Sequence, residues 1–170
     1  MLGAVSALSI RSEYDYAPEI VGAPFDNLTT KQYNAMLFGV VWGFLGKEGA
    51  TEIEACMSDA RAEATLAFEG FVELIHGEWE PAMMTLLSVV HELPVLGTDC
   101  SNMGDDFATL EAWGLNLYQQ PDLEGYIRHN ITRHIIGLTK DLNQARQYYA
   151  EADYWMFGNE LGLMLAIATQ

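Results

Sequence analysis

Basic residues are scarce in this chain of 170 residues, which has 8 lysines and arginines against 24 aspartates and glutamates and a formal net charge of −16. Nucleic-acid-binding proteins need clustered lysine and arginine to neutralise phosphates, so the composition argues strongly against that class. It argues equally against a protein that docks on anionic lipid. An acidic chain of this kind favours solubility, cation binding or a basic partner.

Long hydrophobic runs are also lacking. The most apolar stretch, FGVVWGFLG at residues 38–46, belongs to a segment of about eleven apolar residues, which spans about 16 Å as a helix. The hydrocarbon core of a bilayer is about 30 Å thick, so no membrane span is predicted. Hydrophobic residues nevertheless make up 50% of the chain, so it is not a disordered acidic tail, and its length suggests one domain.

Cysteine occurs only at Cys56 and Cys100, a pair that fits either one disulfide or two buried free thiols. Two glycosylation sequons, NLT at Asn27 and NIT at Asn130, are hints of a secretory route. The start of the chain, MLGAVSALSI, has no basic residue before its apolar run. It resembles the second half of a signal peptide with AVSA as the cleavage site, so whether residues 1–7 are a remnant of one stays open.

Motifs for metal binding and catalysis are missing from the sequence. Residues 99–110, DCSNMGDDFATL, fail as an EF-hand loop because Met103 and Leu110 stand where oxygen ligands are needed. No HExxH, GxSxG, phosphate-binding glycine loop or dinucleotide fingerprint is present. The histidines, none at metal-binding spacing, are His76, His91, His129 and His134. We therefore predict a non-enzymatic protein without a cofactor or a metal.

Hydrophobic periodicity predicts an all-α bundle of five to six helices. Residues 1–28 lack helical periodicity and are predicted as an extended arm, and residues 29–170 as the helical bundle domain. The predicted helices run over about 29–46, 51–77, 80–93, 101–118, 122–150 and 153–168. The fifth has the longest apolar stripe and is therefore expected to be central. That stripe consists of Ile127, Ile131, His134, Ile135, Leu138, Leu142, Ala145 and Tyr149.

Glycines occur in pairs at four-residue spacing in the first and last predicted helices. The pairs are Gly39 with Gly43 and Gly158 with Gly162. Glycine within a helix costs about 1 kcal/mol relative to alanine, which suggests a compensating close contact. We expect these two helices to cross tightly, either glycine face to glycine face or against a partner chain.

The predicted arm is rich in apolar side chains at even spacing. They include Leu8, Ile10, Tyr14 and Tyr16. A free tail of this composition would expose apolar surface, which soluble monomers avoid. The arm therefore either folds back on its own bundle or lies along a neighbouring subunit. We expect the neighbour, because six helices already satisfy the bundle's apolar faces and head-to-tail contacts build filaments.

Charge is divided unevenly along the chain. Between Glu48 and Glu80 the charged residues are acidic except for Arg61, whereas the fifth helix holds half of all basic residues. These are Arg128, Arg133, Lys140 and Arg146. The division indicates either two solvated faces or complementary patches for head-to-tail contact between subunits.

Five segments, in order, carry a resemblance. They are FGVVWGFLG, EIEACMSDA, LPVLGTDC, YIRHNITRHIIGL and AEADYWMFGNELGLML, which together cover about residues 38–168. Their glycine and cysteine spacing resembles that of a group of mostly uncharacterised secreted helical proteins of ciliates and other protists. The resemblance implies an extracellular or vesicular setting and a Cys56–Cys100 disulfide, and it implies no activity.

Three candidate functions follow. The first is a secreted structural subunit that assembles with copies of itself into a filament, coat or granule matrix, with the arm on a neighbour. The second is an acidic helical protein that binds calcium or an apolar ligand. The third is an accessory subunit of a large membrane complex. The expected apolar-ligand residues are Trp42, Phe68, Met83 and Met84. The arm, the glycine faces and the missing chemistry favour the first.

Overall fold

The computed structural model describes residues 20–46, 59–96 and 112–170. Within these ranges the chain forms five long α-helices and no β-strand. The helices are α1 (Thr30–Leu45), α2 (Arg61–Ile75), α3 (Trp79–Leu96), α4 (Leu123–Ala150) and α5 (Tyr154–Thr169). Residues 112–118 are also helical, and Phe25–Asn27 form a 3-10 turn. The predicted all-α bundle of five to six helices is confirmed. No helix in these ranges is both long and apolar enough to span a bilayer.

The helix ends follow local sequence signals. Thr29 and Gln32 form a capping box at the start of α1, in which each side chain accepts a backbone N–H of the other residue. Gly46 ends α1 in the left-handed conformation with φ of 64°, which glycine adopts at little cost. The Asp153 side chain accepts the N–H of Met156 and caps α5. Thr29, Gly46 and Asp153 thus lie at the predicted boundaries of the first and last helices.

The second predicted helix is interrupted at residues 59 and 60. Asp59 and Ala60 are not helical, and α2 starts at Arg61. The backbone N–H of Ala60 donates to Asn34 Oδ1 of α1 at 3.0 Å, and the Asp59 side chain accepts the N–H of Arg61 at 3.0 Å. These two hydrogen bonds take the place of the intrahelical pattern, so the prediction of an unbroken helix from residue 51 is wrong at this point.

The last helix is the centre of the bundle. α5 packs most extensively against α1, then against α4, and it also touches α2 and α3. α4 packs mainly on α5, so the prediction that the longest helix is central is wrong. Its buried stripe is correspondingly narrower than predicted, because His134 and Ile135 are exposed. A helix with one main neighbour buries only a narrow seam.

Aromatic rings fill the space where α2, α4 and α5 meet. The rings of Phe71 and Phe157 pack edge to face with centroids 4.8 Å apart, and Tyr149 lies 5.1 Å from Phe157. Phe68 extends the cluster and stacks at 4.5 Å on Phe25, which precedes α1. Such pairs stabilise beyond their buried area by about 0.5–1.5 kcal/mol each. The cluster therefore ties the segment before α1 to the bundle.

Candidate interaction surface

The contact between α1 and α5 brings the four predicted packing glycines together. They are Gly39, Gly43, Gly158 and Gly162, all buried. A Cβ atom at Gly39 would overlap the carbonyl oxygen of Trp155, and one at Gly158 would overlap that of Met36. Gly43 and Gly162 meet the opposite backbone in the same way. The two helices thus touch backbone to backbone within one chain, and the glycine faces are not available to a partner.

Residues 20–28, which we call the strap, lie across their own bundle. The Tyr149 hydroxyl donates to the carbonyl oxygen of Ala23 at 2.7 Å, and the Tyr33 hydroxyl donates to that of Phe25 at 2.8 Å. Burial raises the pKa of Tyr149, so its hydroxyl keeps the proton that it donates. Two tyrosines from α4 and α1 therefore fix the backbone of the strap.

The strap follows one of the two arrangements expected for the arm. Residues 20–28 contact α1, α2 and α4 of their own chain, and the contact of the arm with a neighbouring subunit stays a prediction. These helices leave an aromatic surface and two hydroxyl donors that the strap satisfies. Four predicted arm contacts lie outside the described residues, namely Leu8, Ile10, Tyr14 and Tyr16.

The outward side of α4 carries an exposed isoleucine between two cations. Ile136 is 86% exposed, the largest exposed fraction among the large hydrophobic side chains in the described ranges. Arg133 precedes it by three residues and Lys140 follows it by four, so both flank it on the helix surface. We call Thr132, Arg133, Ile136 and Lys140 the α4 face; all four side chains are exposed.

The two basic side chains of the α4 face are not neutralised by ion pairs with other described residues. Another basic residue of this helix, Arg128, is paired: its guanidinium donates two hydrogen bonds to Glu80 of α3 at 2.8 and 3.0 Å. This pairing lowers the pKa of Glu80. Arg133 and Lys140 make no ion pair with any other residue of the described ranges. Exposed acids in the described ranges include Glu69 and Glu78, on and after α2, and Glu124 near the start of α4.

A buried carboxyl group lies between α4 and α5. Glu160 is only 6% exposed, and burial together with the nearby charge of Asp141 raises its pKa. Lys140 acts in the opposite direction but does not come within ion-pair distance. Burial likewise raises the pKa of Asp141. The charge of Asp141 therefore disfavours the ionisation of Glu160 in the folded chain.

The two sequons differ in accessibility. Asn27 is exposed in the 3-10 turn before α1. Asn130 is 9% exposed, and its side-chain nitrogen donates to the carbonyl oxygen of Ala168 at 3.1 Å. A glycan would be attached to that same nitrogen, so the folded chain has room for a glycan at Asn27 and none at Asn130.

The predicted apolar-ligand residues do not line one pocket. Met83 is fully buried in the core, Phe68 belongs to the aromatic cluster, and Trp42 packs edge to face on Trp155 with centroids 5.7 Å apart. Met84 is half-buried on α3. Their arrangement is that of ordinary packing between helices. A pattern of methionine and aromatic residues is compatible with core packing as well as with ligand binding.

No metal-binding group of three or more histidine, cysteine or carboxylate side chains occurs in the part of the chain that the structure describes. His76, His91, His129 and His134 are all exposed there. Cys56 and Cys100 lie outside that part, as does the loop that was compared with an EF-hand, so the disulfide stays a prediction.

Two features of this surface were missed from the sequence. Ile136 was absent from the predicted stripe, and the signal for its exposure was its distance of five residues from Ile131 and two from Leu138, which turns it away from the buried seam that those two residues form. Glu160 falls among the apolar residues of α5, and a single acid on the central helix was the signal for a buried carboxyl group.

Comparison of the chain with family models, curated proteins and solved structures found no match. The resemblance to secreted protist proteins therefore stays a prediction. What the chain does must be argued from its own surface.

Proposed function

We propose that this protein is a non-enzymatic, secreted structural subunit that assembles with copies of itself into a filament, coat or granule matrix. The α4 face is the contact surface in this proposal. The observation that carries it is Ile136, 86% exposed on the longest helix and flanked by Arg133 and Lys140.

Burial of Ile136 supplies the gain in free energy on association. Full burial of an isoleucine side chain is worth about 1.5–3 kcal/mol relative to exposure. The flanking cations select an acidic partner surface, and the chain itself offers one at Glu69 and Glu78. Because Glu69 and Glu78 lie on and after α2 and not on α4, a contact between these acids and the α4 face is head to tail and propagates unless the rotation closes a ring.

Secretion is supported by the accessible sequon. Asn27 is exposed, as a glycan acceptor must be. The absence of a catalytic motif from the sequence supports the non-enzymatic part of the proposal. The strap contacts its own bundle, and the part of the predicted arm before residue 20 keeps its proposed role as a contact with a neighbouring subunit.

The test is the oligomeric state of Ile136→Ser, measured by sedimentation velocity over a range of protein concentrations. We expect wild-type protein to associate as concentration rises, and the variant to need roughly 10- to 100-fold more protein for the same association. The control is Leu115→Ser, which removes another exposed side chain, 57% exposed, away from α4. Added salt is expected to weaken wild-type association because the contact pairs opposite charges. Wild-type protein that stays monomeric throughout, or equal association of both variants, would refute the α4 face as the contact.

A further inference from the structure

We propose that a cavity between the strap, α2 and α4 is a binding site for a small amphiphilic carboxylate, a free acid with a short apolar chain. The cavity has a volume of about 210 Å³ and is lined by Ile20, Val21, Phe71, Asn143, Arg146 and Gln147. We call it the strap cavity.

The strap cavity has an apolar side and a polar side. Ile20 and Val21 of the strap form the apolar side, and Phe71 of α2 lies fully buried behind the lining. Asn143, Arg146 and Gln147 follow the spacing of three and four on α4, so their side chains share one helix face. Apolar surface with a few convergent polar groups is typical of small-molecule sites.

The polar groups favour an anion. Arg146 makes no ion pair with any other residue in the described ranges. Gln147 is already engaged, since its side-chain nitrogen donates to Glu151 at 2.9 Å. Arg146 and Asn143 therefore supply the donors that remain, and a guanidinium binds a carboxylate through two parallel hydrogen bonds. The chain has a net charge of −16, and the guanidinium of Arg146 makes the electrostatic potential at the cavity locally more favourable for an anion.

The size of the cavity limits the ligand. Its volume of about 210 Å³ lies below the roughly 300–1,000 Å³ that is typical of sites for drug-sized molecules. A short fatty acid suits it, with the chain against Ile20 and Val21 and the carboxylate at Arg146.

The wall formed by the strap is in place before a ligand binds. The Tyr149 hydroxyl holds the Ala23 carbonyl, and Gly22 has φ of 150°, which residues with a side chain rarely adopt. A Cβ atom at Gly22 would come within 2.7 Å of the Tyr149 ring, so the strap lies close against α4. A preformed wall saves the ordering free energy that a flexible loop would lose on binding.

The probe is octanoate below its micelle-forming concentration, and its binding is measured by isothermal titration calorimetry. Wild-type protein is expected to bind octanoate more tightly than octanol, which lacks the charge, and acetate, which lacks the chain. Arg146→Gln is expected to weaken octanoate binding about tenfold or more, because it removes a charged hydrogen-bond donor. Arg146→Lys, which keeps the charge but not the planar fork, is expected to fall between the two.

The matched control is Lys31→Gln, an exposed basic residue of α1 that belongs neither to the strap cavity nor to the α4 face. It has the same change in net charge and is expected to bind octanoate like wild type. Three results would overturn the site: no octanoate binding by folded wild-type protein, equal binding by Arg146→Gln, or an equal loss in the Lys31→Gln control. None of these results depends on self-association through Ile136, so the two proposals fail separately.

Discussion

Substitution of Gly158 by alanine tests the backbone contact between α1 and α5. The added Cβ atom would overlap the Met36 carbonyl oxygen, and a carbonyl group cannot rotate away as a side chain can. Overpacking of this kind costs about 1–3 kcal/mol, and contact with backbone belongs at the upper end. Alanine recovers about 1 kcal/mol through its higher helix propensity. We therefore expect Gly158→Ala to lower the free energy of unfolding by about 2 kcal/mol.

The matched control is Gly137→Ala in the middle of α4. A Cβ atom there meets nothing within 4 Å, so only the propensity changes. This variant is expected to gain up to about 1 kcal/mol. Both are measured by denaturant unfolding followed by far-ultraviolet circular dichroism, with midpoint and slope fitted together. If Gly158→Ala is as stable as Gly137→Ala, the helices do not touch backbone to backbone and the reasoning fails.

Two further predictions concern buried polar groups. The folded-state pKa of Glu160 lies above its ordinary value of 4.5, so the stability of wild type falls as pH rises through the interval between the two values. Glu160→Gln removes this ionisation. We expect the variant to be more stable than wild type at neutral pH and to lose that advantage at about pH 4. A stability advantage that does not change with pH would contradict the raised pKa of Glu160. Tyr149→Phe removes the hydrogen bond to Ala23 and is expected to lower the unfolding free energy by about 1 kcal/mol. The control is Tyr126→Phe, because the Tyr126 hydroxyl donates to the Gln170 carbonyl oxygen in an exposed position and its loss should lower stability less. Equal losses would show that the hydrogen bond to the strap stabilises the fold no more than an exposed one.

The sequence predicted those features that depend on local chemistry. Thr29, Gly46 and Asp153 act within a few residues of their own positions, so their roles could be read directly. The glycine pairs carried longer-range information because a glycine within a helix needs a compensating contact. Their spacing pointed to the helix pair that the structure brings together, although it left a partner chain as the alternative.

Features that depend on the number of neighbours could not be predicted. The stripe on α4 had the right period, but periodicity does not tell how many helices cover it, and among the described helices only α5 does so extensively. The start of α2 depends on Asn34, which lies 26 residues earlier in the chain. The strap depends on Tyr149, 126 residues from its acceptor. Such contacts leave no pattern in the residues around them.

The pairing of α1 with α5 also determines when the largest helix contact can form during synthesis of the chain. On a ribosome, α1 emerges first, and its partner follows only after about a hundred further residues, so the largest helix contact closes last. Until then the apolar side of α1 has no permanent cover and is open to capture by chaperones or by other nascent chains. The backbone-to-backbone crossing that holds the finished bundle together is thus the step most exposed to misassembly during synthesis.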